Sequence, residues 1–153
     1  LHPSPFDPSR LLRDVVDVYS ETQNKPNVQL KVESPPPVVT LDAERARLAV
    51  QCALENAGVA ANGHPLQVML TGGPDRCVVE VTVEGPPKPS VEPTDLEEDR
   101  FQRLLGSAAE RRGLDLATAA RVSRLFGGSA RLDVVPGEKS AVVLEWPTAL
   151  SPT

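Results

Sequence analysis

Residues 42–61 read DAERARLAVQCALENAGVAA, and this stretch decides how the rest of the chain is arranged. Asp42 is a helix-capping residue, because its carboxylate accepts N–H groups that a first turn leaves unpaired. Ala-rich sequence of high helix propensity follows, with Leu48, Cys52 and Ala53 on one buried face. Gly58, then Asn62 and Gly63, bring the helix to its end.

Two short strands precede this helix. Residues 28–33, VQLKVE, alternate strictly, with Val28, Leu30 and Val32 on one side and Gln29, Lys31 and Glu33 on the other. Three prolines, 35–37, separate them from a second strand at 38–41. Residues 7–23, DPSRLLRDVVDVYSETQ, form a first helix that Asp7 or Ser9 can cap, with Pro8 suited to its first turn. Leu11, Leu12, Val15, Val16 and Tyr19 make its apolar stripe.

On the C-terminal side, strands at 66–70 and 77–83 flank the turn sequence TGGPDR. GPPKPSVEP at 85–93, followed by TDLEED, has no apolar period and predicts an exposed, stiff, acidic loop. Residues 100–112 and 114–126 predict two helices divided by Gly113, the second closed by Gly127 and Gly128. A hairpin through PGEKS joins strands at 130–135 and 141–146, and a tail begins at Pro147. Hairpins with helices gathered on one side imply an α+β two-layer sandwich: a mixed, mostly antiparallel sheet of five or six strands with helices on one face. One domain fills 1–153, with its folded part at about 5–147.

Composition excludes several functions. The chain carries 24% charged and 40% hydrophobic residues, a globular profile. Its net charge of −5 and 3% aromatic content argue against nucleic acid as a partner. No apolar run approaches the roughly 18 residues that span a bilayer, and the N-terminus has no signal-peptide pattern. Cys52 and Cys77 lack the spacing of a metal or disulfide framework and read as reduced core thiols of a cytoplasmic protein. His2 and His64 have no ligand at helical spacing. The opening LHPSPFDPS, without an initiator Met, reads as a cut inside a longer protein.

Three strings in order carry a resemblance. PFDPSRLLRDVVDVYSETQNKPNVQLKVE resembles the opening of the ATP-binding catalytic domain of bacterial sensor histidine kinases, a branch of the GHKL ATPase fold. DAERARLAVQCALENA is similar to that family's N box, and RLFGGSARLDVVPGEKSAVVLEWP resembles its closing helix, Gly-Gly and hairpin. The resemblance runs from Pro5 to Pro147. It implies Mg-ATP chemistry built from four parts. An N-box Asn ligates Mg²⁺, a hard cation that seeks oxygen. A polar residue one turn earlier faces the γ-phosphate. An Asp-x-Gly carboxylate accepts the adenine amino proton. A Gly-rich run at a helix start brings backbone N–H groups to the phosphates.

This chain keeps Asn56 at the Mg²⁺ position but has Cys52 one turn earlier. Val83 stands where the adenine Asp belongs; Gly85 matches the family's glycine, and Pro87 replaces the next one. Glu84 is one position off, which on a strand means the opposite face. RRGLDLA aligns with the Gly-rich run, so of its glycines Gly113 remains, with Asp115 at the phosphate approach. Arg111 and Arg112 are candidates for pairing with phosphate. Glu55 is a weak candidate base. The vestigial nucleotide site is therefore Asn56, Gly85, Arg111, Arg112 and Gly113, with Asn56 the candidate Mg²⁺ ligand and no catalytic residue.

The resemblance implies a degenerate kinase-like domain, a pseudokinase module of a two-component or phosphorelay protein in the cytoplasm, with no cofactor expected. Its partners would be a response-regulator receiver domain or another kinase, and the upstream dimerisation segment of its own protein. That segment carries the family's phosphoacceptor His, and neither His2 nor His64 stands in such a context. The alternative is an atypical but active domain that still binds Mg-ATP.

Overall fold

The structure, a computed structural model, describes residues 1–23, 28–34, 38–61, 64–84, 94–95, 116–135 and 139–150. The expected loop at 85–93 and the expected helix at 100–112 lie outside these residues. Eleven elements follow in order: β1 (Ser4–Phe6), α1 (Pro8–Gln23), β2 (Val28–Val32), β3 (Val39–Leu41), α2 (Ala43–Ala61), β4 (Leu66–Gly72), β5 (Arg76–Val83), β6 (Thr94–Asp95), α3 (Leu116–Leu125), β7 (Ser129–Val135) and β8 (Lys139–Pro147).

Both long helices start as their caps dictate. Asp7 Oδ1 accepts the Ser9 N–H at 2.9 Å, and Pro8, which has no N–H to lose, fills the first turn of α1. Asp42 Oδ1 accepts the Arg45 N–H at 3.2 Å at the head of α2. Asp42 Oδ2 also accepts the His2 N–H at 2.9 Å, which ties the N-terminal segment to this helix.

Six strands form the main sheet in the order β2-β4-β5-β8-β7-β6. Only the β2–β4 pair is parallel, so the sheet is mixed and mostly antiparallel, as expected. Period-two alternation turns Val68, Leu70, Val79, Val81, Leu144 and Trp146 into the core, where the three helices cover them. The opposite face is mainly polar, with the ion pairs Arg76–Glu145 and Arg131–Asp133. α2 lies centrally, against both α1 and α3. That position explains its composition: Ala46, Ala49, Ala53 and Ala57 are all buried and admit neighbours at close range on more than one side.

Three features differ from the sequence reading. Thr94 and Asp95, at the start of the TDLEED stretch expected to continue an acidic loop, pair with Leu132 and Arg131 as strand β6. Val32, expected on the buried side of β2, is 38% exposed, because β2 is an edge strand. A second, two-stranded sheet pairs β1 with β3, and Thr40 bonds the C-terminal segment through Thr148. The opening residues, read as a mere chain end, thus contribute a strand.

The turn after α3 is a Schellman motif. The Gly128 N–H donates to the Ser123 carbonyl and the Gly127 N–H to the Arg124 carbonyl, both at 2.9 Å. Gly127 sits at φ 86°, where a Cβ is strained, and a Cβ on Gly128 would run into the backbone carbonyl of Glu145. This close approach lets Trp146 donate its Nε1–H to Ser123 Oγ at 2.9 Å, while Ser123 Oγ donates to the Ala119 carbonyl at 2.9 Å. Phe126 meets Trp146 edge to face, with ring centroids 5.4 Å apart.

Candidate functional site

Among the positions of the expected nucleotide site, Asn56 and Cys52 lie on α2 and Val83 ends β5. Asn56, on the fourth turn of α2, is buried at 3% exposure. Its Nδ2 donates to the Cys52 carbonyl at 2.8 Å, so the side chain folds back along its own helix. Cys52, one turn earlier, is itself fully buried. Val83 ends β5 opposite Leu66 and Ser140 and is 1% exposed. Glu84 follows in the open, as its position one residue along predicts, and cannot stand in for a carboxylate at Val83.

Other candidates fall elsewhere. Gly85, Arg111, Arg112 and Gly113 lie outside the described residues, as do Pro86, Pro87 and Asp115. Glu55 lies on the opposite flank of α2, where it lines a groove against Val15, Val18 and Tyr19 of α1. It is therefore no neighbour of an α2–α3 cleft. Cys77 is buried in the core, and burial pushes its thiol up to about 12, so it is a neutral packing group at pH 7 and neither nucleophile nor thiolate ligand. The Asp42 carboxyl is held below its ordinary value, first by the His2 N–H and then by the Arg45 N–H and guanidinium, against the opposing pull of burial.

A Mg²⁺ ligand needs an accessible oxygen, and Asn56 is enclosed. An adenine amino group needs an acceptor, and Val83 has none. A hydrogen bond to a charged acceptor is worth about 1.5–3 kcal/mol, or roughly one to two decades of affinity. Sequence reasoning named both residues, and the structure gives their burial and bonds. Sequence reasoning missed the groove beside Glu55, the Ser123–Trp146 bond and the Asp42–His2 tie. Val18, an apolar residue at the margin of the α1 stripe, was the available signal for the groove.

This architecture is the fold of histidine-kinase catalytic domains. The catalytic domain of the histidine kinase ThkA, in a nucleotide-free form, superposes with a TM-score of 0.75 at 19% identity, covering 99% of this chain and all of that one. The ATP-binding domain of PrrB from Mycobacterium tuberculosis gives 0.65 at 22% identity, with 99% and 98% covered. Full-length ShkA in complex with AMPPNP gives 0.74 at 22% identity; there the whole of this chain matches 32% of that protein. No protein-family model matches the sequence, and no curated protein matches it significantly. Among the described residues, no helix is long and apolar enough to cross a membrane.

Proposed function

We propose that this chain is a degenerate, kinase-like ATPase domain of a two-component or phosphorelay signalling protein. It binds Mg-ATP poorly or not at all and works through contacts with other proteins. The observation that carries this reading is the pairing of an enclosed Asn56 with an apolar, buried Val83 at the positions that would meet metal and adenine. The kinase fold supports the signalling context. In that context the partners are a response-regulator receiver domain or another kinase, with the upstream dimerisation segment of the same protein. The compartment is the cytoplasm, and the domain itself makes no membrane contact.

The test is a calorimetric titration of the purified protein with Mg-ATP, backed by NMR shifts of the Asn56 side-chain amide. The expected dissociation constant is about 1 mM or weaker, equivalent to no more than about 4 kcal/mol of binding. Saturation at micromolar levels, with the Asn56 amide moving, would replace this reading with the atypical active domain.

A further inference from the structure

On the flank of α2 away from α3, helices α1 and α2 leave a groove of about 130 Å³, lined chiefly by Val15, Val18, Tyr19, Leu54 and Glu55. Val18 is 52% exposed, so a large apolar side chain stands open to water at its rim. Tyr19 reaches across to α2, where Gly58 leaves it room; a Cβ there would collide with the phenol oxygen. The groove is therefore held by interlocked helices and is not a loose gap in a loop.

Its size and charge select the occupant. Small-molecule pockets run at about 300–1,000 Å³. This groove falls well below that range and suits a single anchoring side chain of the kind that concentrates binding energy in protein interfaces. Glu55 lines it. Asp14 and Glu21 are exposed and stand four residues before and three after Val18, on the same side of α1. Glu44 is exposed and continues the row of Gln51 and Glu55 on α2. Against these four carboxylates, the two rows hold two guanidiniums, Arg10 and Arg47, so the balance stays acidic.

We propose that the α1–α2 groove is a docking site for an amphipathic, basic helix of a partner protein. The helix inserts one large apolar or aromatic side chain beside Val18 and places Lys or Arg three or four residues to either side, facing Asp14, Glu21 and Glu55. This rests on the reading that the domain works through protein contacts, and it is independent of whether nucleotide binds.

The experiment titrates the ¹⁵N-labelled protein with a short helical peptide bearing one central Trp flanked by Lys at helical spacing, and with its twin in which every Lys is Glu. The expected result is amide shifts centred on Val15, Val18, Tyr19 and Leu54. The Lys peptide should bind about tenfold or more tightly than its twin and weaken as salt screens the charges. Val18→Ser should weaken it about tenfold with the fold unchanged by circular dichroism. The exposed pair Asp14→Lys and Glu21→Lys should reverse the preference between the twins. Equal binding of the two peptides, or shifts centred elsewhere, would overturn the proposal. So would self-association in sedimentation that Val18→Ser abolishes, since a second copy would then own the groove. Micromolar Mg-ATP binding would sink the degenerate reading and leave this result untouched, so the two failures are distinguishable.

Discussion

The two sides of the helical layer treat their buried polar groups differently. Where α3 meets β8, Ser123 accepts from the Trp146 indole and donates to a helix carbonyl, and Gly128 lets the backbones close on each other. That chain of bonds joins separate elements. Where α2 meets the end of β5, the buried Asn56 amide turns to the carbonyl one turn behind it, and the strand offers Val83. The first corner uses polarity to fix tertiary structure. The second keeps its polar residue bonded along its own helix.

The contrast breaks first at Gly128, where the α3–β8 corner has no tolerance. Gly128→Val would press a branched side chain into the Glu145 carbonyl, which as backbone cannot swing aside. We expect a loss of about 3 kcal/mol by urea denaturation, the upper end of the roughly 1–3 kcal/mol that overpacking costs, because the atoms met are backbone. A loss below about 1 kcal/mol would show that the corner is loose and that the comparison is misdrawn.

Val83→Asp tests the other corner. If that end of β5 is core, the new carboxylate is buried without a partner, and stability falls by about 2–4 kcal/mol. If it opens on a nucleotide cleft, the carboxylate is solvated and the loss stays under about 1 kcal/mol. Adding Asp115→Gly probes the other end of the ligand. Mg-ATP binding should rise measurably only in the double variant, because each single change leaves one end of the nucleotide mispaired.

The fold was legible because its signals are local. The Asp7 and Asp42 caps, the alternation in RCVVEVTV and the Gly127–Gly128 stop each act within a few residues, and each element formed where its signal lay. What escaped depends on chain segments far apart in sequence. Strand β1 exists because Ser4 finds Leu41, and the exposure of Val32 depends on β2 being the last strand of its sheet. At the candidate site, the sequence showed the identities of Cys52, Asn56 and Val83. It could not show that Asn56 bonds its own helix, since that depends on side-chain rotation inside a packed core.

A milder test sharpens the α3–β8 corner. Ser123→Ala leaves the Trp146 N–H buried without its acceptor and should cost about 1–3 kcal/mol. In a Trp146→Phe background the same change should cost less, because no donor is stranded. The measurement is a double-mutant cycle from urea midpoints. Equal costs in both backgrounds would mean that the bond contributes nothing specific.

The smallest effect expected is the pH response of Asp42, which joins the N-terminal segment to α2 as Ser123 joins α3 to β8. Its folded carboxyl titrates below the ordinary 3.8, mainly because the His2 N–H bonds the ionised form. A depressed pKa contributes stability that is fully present above the unfolded value and is lost as pH falls through the folded one. The contribution should therefore be constant near pH 7 and fade only below about pH 4. Asp42→Asn keeps an oxygen to cap α2 but removes the charge, so its urea midpoint should fall less steeply than that of the wild type below about pH 4. Hydrogen exchange at the His2 and Arg45 amides gives a local readout: both should speed up together in the wild type as Asp42 protonates. Parallel pH profiles for the two proteins would show that the tie between the N-terminal segment and α2 does not depend on the Asp42 charge.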